Sequence, residues 1–472
     1  MKSTKHKIAQ FTFYDRTGIQ TLLEKEVQKG WMLEKISSFS WKFRRIEPAK
    51  IHFAVTYFPK ASGFDPQPSE EQQRLWEFCE HTGWKLAAHN AHLQVFYNEQ
   101  ESPVPIETDP QIELENIQKI AYKTIIPSYS VIFILAVFSL GLQMMMYIGN
   151  PISYLSRNSS FIGILCWLAL MAMSALEIGG FLIWQSKAQK AIMTDGSFVK
   201  TFGFRKIELG LMWFIIALYA VYLMTQHEQS GSIILLTSVI AAIPAFAVAL
   251  FRNILKKLGV SAGTNKILTI VFAVIFCLGG TVAAIIGITN LVMTSDLFDR
   301  EPEYTYEYKG HTFKVYDDEL PLMVQDMVET DYDGYSTEWH GNESIFISEY
   351  DAYQHPKVGD LDQYSLQYTL VEIKVPFLYN TVFNYMLNDL TNNRGVTEDD
   401  PFYERAVEIP ASEWGAQKAY QLYIGKDYTD NEYLLCYEDA IIMLRPDMEM
   451  ELTQQAKAAV AEKIGGVVVC YN

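Results

Sequence analysis

IIPSYSVIFILAVFSLGLQMMMYI, residues 125–148, decides the architecture. It holds no charged side chain and is long enough to cross the roughly 30 Å of bilayer hydrocarbon as an α-helix, which takes about 20 apolar residues. Residues 161–184, 207–223, 233–250 and 267–293 read the same way, so residues 124–294 form a membrane region of about five helices between two polar flanks. A mean hydropathy of +0.03 conceals this segregation. Pro127 lies at the entry of the first span, where proline is tolerated, and Pro244 should kink the fourth. The third span is short and leaves a re-entrant hairpin with the fourth as an alternative. The first apolar run begins far from Met1, so no cleavable signal peptide is expected and the first span must also direct insertion.

Charge sets the expected orientation. Lys119 and Lys123 precede the first span, Lys187, Lys190, Lys200, Arg205 and Lys206 separate the second from the third, and Arg252, Lys256, Lys257 and Lys266 separate the fourth from the fifth. The other side carries Arg157 and, after the last span, Arg300. Positive charge collects on the cytosolic side, which predicts a multi-pass cell-membrane protein with a cytosolic N-terminus and an extracytoplasmic C-terminus. Residues 301–472 hold 33 acidic and 11 basic residues, leaving 22 and 27 before them. So acidic a C-terminal domain is unsuited to nucleic acid.

Few membrane residues stand out chemically. Glu177, followed by Gly179 and Gly180, is the one clearly ionisable group expected inside a span, where a charge must be neutralised, paired or hydrated. A pathway or relay is the sharper reading, and structural pairing with Lys187 or Arg205 the blander one. Gly279, Ala283 and Gly287 form a small-residue stripe for helix packing, within the chain or between copies. Of five cysteines, only Cys436 and Cys470 share the C-terminal domain. A disulfide between them is open to an exported domain, and two unpaired half-buried thiols are the plainer reading.

Residues 1–105 read as a βαββαβ domain. Phe11 and Phe13 alternate as a first strand, Asp15 opens a helix with the apolar face Ile19, Leu22, Leu23 and Val27, and Gly30 ends it. Phe39, Trp41 and Phe43 alternate on strand two, and Phe53, Val55 and Tyr57 on strand three. Ser69 and Gln72 have capping-box spacing for a second helix ending at Gly83, before a strand with Leu93, Val95 and Tyr97. Leu22-Leu23-Glu24, Gly30-Trp31 and Leu33 recur 53 residues later as Leu75-Trp76-Glu77, Gly83-Trp84 and Leu86. Two matched halves predict a ferredoxin-like α+β fold with pseudo-two-fold symmetry, and a glycine after each helix fits a left-handed cap. Lys42 and Arg44 lie on the polar side of strand two, with Arg45 nearby and the aromatics opposite, so a solvated or protein-binding face is expected rather than a nucleic-acid one. Residues 106–123 read as a linker.

The stretches GWMLEKISSFSWKFRRIEP (30–48), IHFAVTYFPKAS (51–62), FCEHTGWKLA (78–87) and PVPIETDP (103–110) resemble an uncharacterised family of bacterial, mostly Gram-positive, membrane-anchored proteins, domain of unknown function 2812. The resemblance covers about residues 5–125. It implies membrane helices after this domain. The family's frequent encoding beside winged-helix repressors of the phenolic-acid-repressor type implies a regulated membrane or envelope role. It brings no reaction, ligand or functional residue.

Residues 302–472 read as an extracytoplasmic α+β domain. YTYEYKGHTFKVY alternates on both sides of Lys309-Gly310, a hairpin signal, and EYLLCYEDAIIMLRP turns near Glu438-Asp439. Strands are expected near 345–348, 368–375 and 433–437, and helices over 377–390 and 452–464. Asp331-x-Asp333-Gly334 lacks the closing glutamate of a calcium loop, and His89 with His92 lacks a third zinc ligand. No Walker loop, GxSxG, HExxH or paired CxxC is present, so neither cofactor, metal nor enzymatic activity is expected. Two domains on opposite sides without catalytic motifs predict a regulatory or sensory membrane protein, in contact with membrane lipid and with protein partners on both sides. The alternative is a permease or transporter accessory subunit built around Glu177.

Overall fold

The computed structural model describes the chain except residues 1–2, 9–10, 38–39, 107–108, 196–203, 226–242, 244–245, 295–300, 361, 392–396, 426–427 and 471–472. It divides into two compact units: Met1–Leu140 with Leu165–Met293, and Gly141–Ile164 with Thr294–Asn472.

The first unit opens with the pseudo-repeat, which differs from the expected βαββαβ order. The elements run β1 (Thr4–Ile8), α1 (Arg16–Gln28), β2 (Trp31–Ile36), β3 (Ser40–Arg45), then β4 (His52–Tyr57), α2 (Glu70–His81), β5 (Lys85–His89) and β6 (Leu93–Asn98). Each half is βαββ, and the strands form two three-stranded antiparallel sheets ordered β1-β3-β2 and β4-β6-β5 rather than one four-stranded sheet. The missed strands have a physical reason. Both β2 and β5 carry a register shift, between Leu33 and Lys35 and between Leu86 and Ala88, again 53 residues apart. A bulge breaks the two-residue period by which a strand is read. β1 (TKHKI) has no apolar alternation, and Phe11 and Phe13 lie in the turn before α1. The helix ends repeat faithfully. Asp15 accepts from Gly18 N at 3.1 Å and Ser69 from Gln72 N at 3.2 Å, and Gly30 and Gly83 follow their helices at φ +80° and +87°, where a side chain would be strained.

Of residues 106–123, expected as a linker, 110–123 are helical. Asp109 caps α3 (Pro110–Ile120), with Pro110 in its first turn. Leu114, Ile117 and Ile120 are buried in the same core as Leu23, Phe43 and Val55. A π-turn over Ala121–Ile125 joins α3 to α4 (Ile126–Gly149). Pro127 accounts for it: its ring cannot accommodate the carbonyl four residues back in a regular turn. The helices that follow are α5 (Pro151–Leu155), α6 (Asn158–Asp195), α7 (Phe204–Thr225), α8 (246–257) and α9 (Ala262–Thr294). Among the described residues, four helices are long and apolar enough to cross a membrane, within 110–149, 158–194, 206–223 and 262–280. Most of the expected fourth span, 233–250, lies outside the described residues.

In the second unit, β7 (Tyr304–Tyr308) and β8 (His311–Val315) form the expected hairpin, with positive φ at both Lys309 and Gly310. Then follow β9 (Tyr335–Glu343), β10 (Ile347–Pro356), β11 (Leu366–Ile373), α11 (Tyr379–Leu390), β12 (Glu404–Ile409), β13 (Lys418–Ile424), β14 (Tyr428–Cys436), β15 (Ala440–Pro446) and α12 (Gln454–Cys470), with a single turn α10 (Val324–Met327) before β9. Seven strands make one antiparallel sheet ordered β12-β13-β14-β15-β11-β10-β9. Alternation divides it cleanly: Leu434, Cys436, Ile441 and Met443 meet Val382 and Met386 of α11, while Leu435, Tyr437, Ile442 and Leu444 meet Val460 and Ile464 of α12.

Candidate functional site

Within the first unit, the N-terminal domain is fused to membrane helices at two places. The turn before α1 presents Phe13 and Tyr14, and α6 answers with Phe181 and Trp184. Tyr14 lies 4.8 Å from Trp184 and 5.5 Å from Phe181 between ring centroids, and Phe13 stacks on Phe181 at 6.0 Å. Tyr122 of the π-turn lies 6.0 Å from Phe181 and donates to Gln185 Oε1 at 2.9 Å. Tyr14, Phe181, Trp184 and Ala188 all belong to the domain's core. Arg16, at the start of α1, pairs with Glu113 of α3, whose side chain is 2% exposed.

The second place is the β4–α2 loop. Asn265 of α9 is fully buried and donates to Phe64 O at 3.0 Å and Arg252 O at 3.4 Å. Thr269 holds its Oδ1 at 3.1 Å, and Lys256 donates to Gly63 O at 3.3 Å. Gly63 and Phe64 are thus hydrogen-bonded to the adjoining ends of α8 and α9.

Glu177 is 7% exposed on α6, and its carboxylate acts on Tyr14: burial raises the phenol's pKa above its ordinary range, and Glu177 raises it further. A second carboxylate was missed from the sequence. Glu208, in the first turns of α7, is 2% exposed and acts on Tyr14 in the same sense. Its place beside Arg205 and Lys206 reads as a solvated helix start, and only packing brings it to Tyr14. The glycine stripe makes no close contact among the described residues: Gly279 and Gly287 are exposed on α9, and a Cβ added at either would meet nothing within 4 Å. The side chain of Ala283 lies outside the described residues.

The second unit carries its own concavity. A groove of about 1010 Å³ is lined by Ile373, Tyr379, Gln417, Tyr437, Asp439 and Ala461, among others. Tyr379 donates to Tyr437 O at 2.8 Å. Beneath it Cys436 is a free, buried thiol, its pKa pushed up to about 11 by burial. The side chain of Cys470 lies outside the described residues. Asp331 and Asp333 are exposed and not gathered with other ligands, while His92 is turned to Phe58 O and His89 against Trp76. No group of three metal-ligating side chains occurs among the described residues.

The first loop of the membrane region packs on this second domain. Ile152 and Leu155 of α5 enter the core under α11. Ser156 donates to Glu349 Oε2 at 2.8 Å and Ser344 to Leu155 O at 2.6 Å. Burial raises the pKa of Glu349, and the Ser156 bond opposes that only in part. Asn158 donates to Glu343 O at 3.1 Å, and Phe161 stacks on Phe346 at 4.0 Å.

No curated protein and no solved structure matches the chain. Residues 15–129, from the N-cap of α1 into the first turn of α4, match the family described as protein of unknown function, DUF2812.

Proposed function

We propose that the chain is a regulatory or sensory protein of the cell membrane, coupling an extracytoplasmic binding domain to a cytosolic protein-binding domain. The observation that carries this reading is the sharing of one core by the N-terminal domain and α6, through Phe181, Trp184 and Ala188. A closely packed interior transmits displacement rather than absorbing it. A shift of α6 therefore moves the turn at Phe13 and Tyr14, and a shift of the adjoining ends of α8 and α9 moves Gly63 and Phe64. The other end of α6 starts against the C-terminal domain through Asn158 and Phe161.

The orientation, N-terminus cytosolic and C-terminus outside, is part of the proposal. Eleven Lys and Arg residues in the loops on one side against two on the other support it. The contacts within each unit agree. Lys256 and the end of α6, from the cation-rich side, meet the N-terminal domain. The cation-poor loop at α5 meets the C-terminal one. The absence of catalytic motifs from the sequence leaves binding as the activity of both domains.

The permease reading keeps one specific support, the burial of two carboxylates, Glu177 on α6 and Glu208 on α7. Two measurements separate the readings. Affinity purification of the full chain from its native membrane should recover a cytosolic protein bound through residues 1–120. Proteoliposomes should show no solute flux, and Glu177→Gln should change thermal stability in detergent without a separate functional defect. Flux abolished by Glu177→Gln at unchanged stability, with no protein recovered, would replace the regulatory reading with the permease one.

A further inference from the structure

We infer that one edge of the C-terminal domain, tipped by Ile345 and Phe377, is seated in the outer surface of the bilayer that the chain spans. Both residues are large and apolar, and they are 71% and 76% exposed. Ile345 stands at the tip of the β9–β10 turn, and its neighbour Phe346 stacks on Phe161, in the first turn of the membrane helix α6. Phe377 lies in the Pro376–Leu378 turn that leads into α11. The next residue, Leu378, packs in the same core as Ile152 of α5, the short helix that follows the first span. Lys374 ties the two turns together, its N–H donating to Phe346 O at 2.9 Å and its Nζ to Ser344 O at 2.9 Å. Both tips are thereby fixed beside chain that is entering or leaving the hydrocarbon.

Isolated exposed apolar residues are ordinary on soluble surfaces, and this domain has others at the other end of its sheet, Phe402 and Met448 being the most exposed of them at 73% and 71%. Strand register separates the pairs. Ile347 pairs with Ile373, and Glu372 with Ala440, at the end that holds Ile345 and Phe377. Glu404 pairs with Ile424, and Leu366 with Pro446, at the end that holds Phe402 and Met448. Aromatic and aliphatic side chains at the level of the headgroups are the usual anchors of a membrane-facing surface. The consequence is that the acidic domain is held in a fixed attitude to the membrane rather than left free to swing.

The inference rests on α6 crossing the bilayer, and the experiment separates the two statements. The full chain is reconstituted into phosphatidylcholine–phosphatidylglycerol vesicles with p-benzoylphenylalanine replacing Ile345, Phe377, Phe402, Met448 or Leu168, the last a 41% exposed residue within α6. After irradiation, lipid adducts are read by mass spectrometry. Adducts are expected at 168, 345 and 377, several-fold above those at 402 and 448. Adducts at 168 alone would overturn the seated edge while leaving the span intact. Adducts at neither 168 nor the two tips would overturn the span and the edge together. Equal yield at all four positions of the C-terminal domain, or a protein adduct in place of lipid at 345 and 377, would also overturn the edge.

Discussion

Trp184 of α6 and Tyr14, in the turn before α1, lie 4.8 Å apart between ring centroids, 1% and 3% exposed. A residue of a membrane helix thus completes the core of the N-terminal domain. Trp184→Ala should cost about 3–5 kcal/mol of domain stability, as large-to-small changes in cores do. Hydrogen exchange of the full chain in detergent should then accelerate across 13–28 and 110–121 but not in the C-terminal domain. Unchanged exchange at Tyr14 and Ile117 would show that the domain folds without α6.

The repeat places Trp31 and Trp84 one residue after matching left-handed glycines, yet their surroundings differ. Trp84 is 4% exposed and donates to Val104 O at 2.8 Å. Trp31 is only half-buried, with Lys5 and Arg45 against its ring at 5.6 and 5.0 Å. Trp84→Ala should therefore cost about 3–5 kcal/mol, and Trp31→Ala about 1–2 kcal/mol, the scale of two cation–π contacts at an accessible site. Urea midpoints followed by proteolytic cleavage within residues 1–105 would measure both. Equal losses would restore the symmetry.

Glu26 is 2% exposed with Lys5 at 2.6 Å and Lys7 at 3.1 Å. Burial pushes its pKa up, but the two ammonium groups outweigh burial and hold it below the ordinary glutamate value. A depressed folded-state pKa stabilises above the unfolded value and is lost as pH falls through the folded one. The N-terminal domain should lose stability on acidification from about pH 5 towards pH 3, and Glu26→Gln should flatten that slope. The same midpoints taken across that pH range test it, and an identical slope in the variant would refute the assignment.

Cys436 sits in the sheet core beneath α11 with its thiol raised to about 11. The thiolate is the nucleophile, so maleimide at neutral pH should leave Cys436 unmodified in the folded chain and label it after denaturation. Mass spectrometry of peptides covering 428–446 reads the difference. Rapid labelling of the native protein would mean that the α11 face opens.

Periodicity in the sequence alone determined much. Apolar runs marked α4, α6, α7 and α9, because a backbone in hydrocarbon must satisfy its own hydrogen bonds over a fixed thickness. Ile19, Leu23 and Val27 marked α1, and Lys309-Gly310 the β7–β8 turn. The strands β2 and β5 stayed hidden because their bulges break the alternation, β1 because it is an edge of charged residues, and α3 because a polar outer face made it read as linker. The functional junction was less legible still. Glu177 stood out as a carboxylate in an apolar run. Glu208, Asn265 and the pair Phe13–Phe181 carry no local mark, since each matters through a partner 168 to 201 residues away in sequence. Local pattern reports which face of an element is apolar. Which faces meet, and so where the N-terminal domain grips the membrane helices, is decided by packing across the whole unit.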